Sequence, residues 1–182
     1  VNGWIERFFV EPTFFFKYWG FAWVKVWPAT GMYLHLSLLA VLGLCIAVGL
    51  FYRFSTGLAF VAFTYLELMD VSVYLNHYYL VSLLLLLATC MPLGRACSLD
   101  VVRRPDRRLT SFPAWCTYLL RFQVAVVYFY AGIAKLNSDW LVHGQPLGIW
   151  LSSRTHVPVV GRWFNHPALP LAMSWAAFLY DA

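Results

Sequence analysis

Polar side chains are scarce in this chain, so the few that interrupt its apolar stretches are the first candidates for chemistry. Hydrophobic residues make up 62% of the sequence and charged residues only 12%. Lys135 ends the apolar run of residues 124–134, and Asn76 and His77 lie within the apolar stretch of residues 57–91. Polar and ionisable groups inside membrane spans are energetically expensive and usually face a bundle interior or a wet cavity. These three are therefore candidate site residues.

Lys135 has two interpretations. As a snorkelling lysine it marks the edge of a membrane span, and the residue taken alone favours this. Alternatively, the small residues Ala131, Gly132 and Ala134 let a neighbouring helix approach closely and enclose the amine in a water-poor pocket. Desolvation there would favour a neutral amine, which can act as a general base.

The polar residues of the stretch 57–91 also have a structural alternative. Glu67 and Asp70 lie within about two turns of the expected membrane interface. A hairpin tip whose polar groups touch water explains them as well as a functional site does. For Asn76 and His77 that explanation is weaker, because the apolar run resumes directly after them.

Recurring apolar segments predict an all-α fold, a polytopic transmembrane helical bundle with interfacial helices. The first such segment, residues 32–51, has no Asp, Glu, Lys or Arg and is long enough to cross a hydrocarbon core of roughly 30 Å. The stretch 57–91 is too long for one crossing and predicts a hairpin at residues 70–74. Residues 1–30 and 141–166 are rich in aromatic side chains but are interrupted by polar residues and prolines. This pattern predicts interfacial structure. The predicted spans are residues 32–51, 55–70, 74–91, 114–134 and 168–182.

The distribution of arginines predicts the orientation. The net charge of +5 comes largely from the loop of residues 92–108, and the positive-inside rule explains it more simply than nucleic-acid binding. Alternation then places Arg53 on the same cytoplasmic side, and Asn76, His77 and Lys135 on the opposite face. The chain has no initial methionine and stops within an apolar stretch, which favours a single membrane domain over residues 1–182, cut from a longer protein.

Common signatures of metal, phosphate and acyl-transfer chemistry are absent from the sequence. The four cysteines form no C-x-x-C pair and have no histidine at ligand spacing, and no P-loop, G-x-S-x-G or H-E-x-x-H occurs. His143, His156 and His166 have no ligand-like spacing and are interpreted as surface or loop residues. No metal is predicted.

Two stretches carry a resemblance to a known family. Residues 65–70 read Y-L-E-L-M-D and residues 74–80 read Y-L-N-H-Y-Y-L. Residues 121–123 read R-F-Q, followed by V-Y-F-Y-A-G at 127–132 and K-L-N-S-D-W at 135–140. Together they resemble the vitamin K-dependent γ-carboxylase family, whose membrane portion is called the HTTM domain.

The resemblance implies roles for the candidate residues. Lys135 matches the family's base, which deprotonates reduced vitamin K, and His77, in the N-H pair with Asn76, matches the histidine that assists carboxylation. It implies a γ-glutamyl carboxylase-like enzyme that couples oxidation of a hydroquinone to its epoxide with carboxylation of glutamate, using O₂ and CO₂. The implied partners are the lipid bilayer and a glutamate-containing protein or peptide, not nucleic acid. The implied location is a bacterial inner membrane, with the active face non-cytoplasmic.

Other functions stay open at this point. A non-catalytic HTTM membrane module, or another quinone-linked membrane protein, would use Lys135 only as an interface anchor. A transporter is disfavoured, because the sequence has no inverted repeat and no broken-helix pair. An enzyme requires Lys135 to lie in an enclosed pocket within reach of His77, whereas a module requires it to point to lipid head groups or water.

Overall fold

The computed structural model describes residues 3–164 and 166–181. The chain divides into two compact units, residues 1–112 and 113–182, and each is described by itself. All regular structure in the described residues is helical, without strands. The predicted all-α class is therefore confirmed.

The first unit contains three long helices, α1 (Ala29–Val48), α2 (Tyr52–Leu68) and α3 (Asn76–Cys90), and a short helix α4 (Leu99–Arg103). Helix α1 follows Pro28, whose fixed φ suits a position next to a helix start. It ends at Gly49, which has a φ of 66°. The amide of Gly49 donates to Ile46 at 3.1 Å and that of Leu50 to Cys45 at 2.8 Å. This Schellman arrangement stops the helix and turns the chain into α2.

Asp100 joins the turn between α1 and α2 to the arginine-rich loop. Its carboxylate accepts hydrogen bonds from the backbone amides of Phe51 at 2.9 Å and Tyr52 at 2.8 Å, and its own amide donates to Gly49 at 3.1 Å. The negative charge thus lies at the start of α2, where free amides and the helix dipole favour it. The Arg53 turn and the arginine-rich loop consequently meet at the same end of the first unit.

Asp70 caps the connection between α2 and α3. It is only 5% exposed and accepts hydrogen bonds from the amides of Ser72 at 2.9 Å and Phe16 at 3.2 Å. Lys17 donates to the neighbouring Met69 carbonyl at 2.7 Å. Asp70 is therefore a buried structural acceptor, and the interpretation of a carboxylate that simply touches water is wrong.

The N-terminal segment packs against the start of α1 and the end of α2. Phe9 and Val24 form a buried cluster with Met32 and Met69. Tyr33 donates a hydrogen bond to Glu6, and this bond lowers the pKa of the Glu6 carboxyl. The aromatic-rich segment is thereby fixed to the helices that follow it.

The second unit is built around a long helix, α5 (Ala114–Ala134), and a shorter one, α8 (Ala168–Asp181). Between them lie the short helices α6 (Ser138–Leu141) and α7 (Leu147–Ser152). Helix α8 contacts α5, α6 and α7. Gly144, with a φ of 62°, lies so close to α8 that an added Cβ would be 2.9 Å from the amide nitrogen of Leu171.

Among the residues that the structure describes, two helices, α1 and α5, are long and apolar enough to cross a membrane, and α3 is a shorter apolar helix. Their large side chains point outward, including Leu34 on α1, which is 72% exposed, and Tyr118 on α5, which is 66% exposed. Aromatic and aliphatic surface on this scale is unfavourable in water and favourable in lipid. The structure thus supports two membrane-spanning helices by length and composition.

We expect Asp100→Asn to lower the free energy of unfolding by about 1–2 kcal/mol, because the amide keeps only one acceptor oxygen and loses the charge at the start of α2. Thermal unfolding in detergent measures this. Asp106→Asn, an exposed position in the same loop, is the matched control and should unfold like the wild type. Equal shifts in the two variants would contradict the capping role.

Candidate functional site

Lys135 ends α5 with its amine turned inward. Its Nζ forms an ion pair with Asp181 of α8 and donates to the Ala131 carbonyl at 3.3 Å. The ammonium also lies 5.4 Å from the centroid of the Trp140 ring. The Lys135 and Asp181 side chains are only 18% and 13% exposed. The amine therefore faces a carboxylate and an aromatic ring rather than open solvent.

Asn137 shapes the chain on both sides of Lys135. Its side-chain amide donates to the Ala134 carbonyl at the end of α5 at 2.9 Å. Its side-chain oxygen accepts from the amide of Trp140 at 2.9 Å and so caps α6. One residue thus ends one helix and begins the next, which brings Trp140 back beside the amine.

Indole hydrogen bonds attach α6 to α8. Trp140 donates from Nε1 to the Ser174 carbonyl at 2.9 Å, and Trp175 donates from Nε1 to the Leu141 carbonyl at 3.0 Å. On α5, the Tyr128 ring packs edge-on against Tyr180 with centroids 5.7 Å apart. Contacts from α6 and from α5 thus hold α8, and with it Asp181, beside Lys135.

This arrangement has a defined chemical capacity. A shielded ammonium and carboxylate attract each other strongly, but both have lost hydration. A lysine amine in this position can accept a proton from an acidic hydroxyl only after it has lost its own proton. As an ion pair, the two side chains also hold α5 against α8.

Asp181 was missed by the sequence reasoning. The available signal was a single carboxylate at the end of the apolar stretch 168–181, comparable to Lys135 at the end of its own apolar run. A pairing over 46 positions in the sequence leaves no local pattern. The small residues before Lys135 do have a neighbouring helix: Gly132 is buried, and α8 is the helix that packs on α5.

Asn76 and His77 belong to the first unit, where they begin α3. Both are exposed, and the His77 ring lies edge-on to Tyr78 with centroids 4.6 Å apart. Tyr78 in turn lines an apolar pocket of about 160 Å³ that also contains Glu67. His77 is therefore one aromatic ring away from this pocket.

This pocket, called the Glu67 pocket below, combines aromatic walls with one carboxylate. It is lined by Trp4, Phe9, Phe63, Leu66, Glu67, Val73, Tyr74 and Tyr78. Ser82 donates a hydrogen bond to one Glu67 oxygen, while Oε1 is buried and has no hydrogen-bond partner among the described residues. A buried acceptor without a donor is uncommon in proteins. A flat apolar ligand that carries a hydroxyl group would satisfy it.

Among the described residues, no group of three or more His, Cys, Asp or Glu side chains is arranged to hold a metal ion. The side chains that could take part in chemistry are the Lys135–Asp181 pair in the second unit, and Glu67, Asn76 and His77 at or near the pocket in the first unit.

Comparison with protein families identifies the domain. A family model described as the HTTM domain matches residues 1–182, the full length of the sequence. The chain belongs to this family. The HTTM domain is the domain of the vitamin K-dependent γ-carboxylase family and is membrane-associated, so the resemblance in the two motif stretches is confirmed. No solved structure matches the chain.

We expect Asn137→Ala to lower the free energy of unfolding of this HTTM domain by about 1–2 kcal/mol, because α6 loses its cap and α5 loses a donor to its last turn. Asn137→Asp keeps the acceptor for the Trp140 amide and should lose less. Thermal unfolding in detergent compares the two. Greater destabilisation by Asp than by Ala would contradict the capping role.

Proposed function

We propose that this HTTM domain is a polytopic, membrane-embedded enzyme of the γ-carboxylase type, which couples oxidation of a hydroquinone to its epoxide with carboxylation of glutamate. Lys135 is the base, and Asn76 and His77 assist carboxylation. The observation that carries the proposal is the shielded amine of Lys135, the first residue of the K-L-N-S-D-W segment, which faces Asp181 of α8 and the Trp140 ring.

The shielding supports a base more than an anchor. A snorkelling lysine extends its stem so that its ammonium stays hydrated, whereas the Lys135 side chain is only 18% exposed. A base that must deprotonate a hydroxyl at neutral pH needs a neutral amine, and loss of hydration in a water-poor site favours that form. Asp181 is the carboxylate beside the amine, so the lysine proton would have to move to it, or to another acceptor, before Lys135 acts as a base.

The Glu67 pocket supports an aromatic hydroquinone as the co-substrate. Its walls are mostly aromatic or aliphatic, and the Glu67 Oε1 atom can accept a hydrogen bond from a ring hydroxyl. Bound reduced vitamin K, or a related hydroquinone, would with O₂ supply a base strong enough to remove the γ-proton of glutamate, which no side chain can do. The residues that line the pocket would bind and orient the ring.

The remaining features of the proposal concern location. The outward-facing apolar residues of α1 and α5 suit a lipid bilayer, and the shorter helices α2, α3 and α8 would be further spans of a multi-pass protein. The arginine-rich loop suits the cytoplasmic side of a bacterial inner membrane, which leaves the non-cytoplasmic face for a glutamate-containing protein or peptide.

A non-catalytic HTTM module is the second candidate, and one observation favours it. The Lys135–Asp181 pair joins α5 to α8, and such a structural role needs no chemistry. In this alternative, any side chain that preserves the ion pair preserves function.

Arginine at position 135 separates the two candidates. We expect Lys135→Arg to retain the ion pair and the fold but to lose hydroquinone epoxidation by at least about 100-fold, because a guanidinium stays protonated and cannot act as a base. The full-length protein in nanodiscs, supplied with reduced vitamin K, O₂ and labelled bicarbonate, is scored for epoxide and for label fixed into a glutamate peptide.

Controls for this assay follow from the contacts of Lys135. Lys135→Ala leaves a shielded carboxylate uncompensated and can destabilise the domain, so the double variant Lys135→Ala/Asp181→Asn tests loss of the base in a neutral site. Lys25→Arg, a change of the same type elsewhere in the chain, should keep full turnover. Normal epoxidation by Lys135→Arg would reject Lys135 as the base, whereas a folded wild-type protein that forms no epoxide would favour the non-catalytic module.

The Glu67 pocket can be tested without turnover. We expect 2-methyl-1-naphthol to bind more tightly than 2-methylnaphthalene, because only the former donates a hydrogen bond to Glu67 Oε1. In Glu67→Leu the two affinities should become equal, whereas Glu11→Leu, an exposed position, should preserve the difference. Quenching of tryptophan fluorescence measures both ligands. An unchanged preference in Glu67→Leu would contradict the proposed contact.

A further inference from the structure

A second cavity lies at the opposite end of the α2–α3 hairpin from Glu67. It has a volume of about 350 Å³. Its walls come from the turn before α2, the segment after α3, and the loop that contains α4. All of these belong to the first unit.

The cavity is strongly basic. Five arginines line it: Arg53, Arg95, Arg103, Arg104 and Arg107. The one carboxylate in its wall is Asp100, which is already engaged by the amides of Phe51 and Tyr52. Within the described part of the first unit, none of the five guanidinium groups forms an ion pair. Five like charges around one cavity repel each other unless an anion neutralises them.

Contacts on three sides fix the walls of this cavity. Gly94 packs so closely on Tyr52 that an added Cβ would be 2.4 Å from the tyrosine Cβ. Arg53 donates from Nε to the Thr89 carbonyl at 3.3 Å, and the Arg103 guanidinium lies 4.6 Å from the centroid of the Phe51 ring. Stacking on a ring leaves the edge N–H groups of a guanidinium available to a ligand.

The geometry points to a phosphate group as the ligand. Guanidinium groups bind phosphate oxygens through paired, charge-assisted hydrogen bonds. We propose that the cavity binds the phosphate of an anionic phospholipid head group. Phe51 and Phe54, 55% and 70% exposed, flank the arginines, so apolar rings are available to acyl chains directly beside the basic groups. This combination matches the membrane interface better than a soluble phosphate site.

The test measures binding of dioctanoyl phosphatidylglycerol to the purified full-length chain in a maltoside detergent, which carries no phosphate. We expect Arg107→Gln and Arg104→Gln each to weaken binding by about tenfold, because each removes one charge-assisted contact. Arg108→Gln is the matched control: it removes the same charge from the same loop but does not line the cavity, and its affinity should stay within about twofold of the wild type. Melting temperatures confirm that the variants are folded.

Two further probes separate the possible sources of phosphate. Dioctanoyl phosphatidylcholine has the same phosphate and chains but no net charge, and it should bind more weakly than the anionic lipid. Inorganic phosphate should not displace the lipid at millimolar concentration. Equal losses in Arg107→Gln and Arg108→Gln would show general attraction to a basic surface and reject the site, and displacement by inorganic phosphate would reject a lipid as its ligand.

Discussion

A buried polar group in so apolar a chain is costly unless it finds a partner within the protein, and this constraint shapes both units. A hydrocarbon environment offers no hydrogen bonds, so an unpaired group costs several kcal/mol. Asp70 joins the N-terminal segment to the α2–α3 hairpin, Asp100 joins the arginine-rich loop to the start of α2, and Lys135 joins α5 to α8. Each of these polar residues connects elements that are distant in sequence.

The sequence predicted features that depend on local patterns. Uninterrupted apolar runs predicted helices, and the motifs around Lys135 predicted the family. Partners that lie far apart in sequence could not be predicted this way. Asp70 was expected to touch water as readily as to serve a site, yet it is buried as a cap because Phe16 supplies a donor from 54 positions away. Asp181 and the walls of the Glu67 pocket follow from packing that no periodicity encodes.

The Lys135–Asp181 pair joins α5 to α8, and its energetics bear on the chemical role proposed for Lys135. A shielded ion pair contributes little net stability, because the attraction mainly repays the lost hydration of both charges. An apolar pair of similar size would join α5 and α8 at least as well. The ion pair is therefore a costly way to hold two helices together if net stability is its only contribution.

The two cavities of the first unit mark the ends of one helix. Arg53 near the start of α2 and Glu67 near its end are separated by 14 residues, or about 21 Å along the axis at about 1.5 Å per residue. A hydrocarbon core is roughly 30 Å thick. With the arginines at the phosphate level of one leaflet, as the lipid proposal requires, Glu67 would lie deep in the hydrocarbon rather than in water. The hydroquinone proposed above could then reach this pocket from the membrane, and Glu67 would distinguish its ring hydroxyl from the surrounding acyl chains.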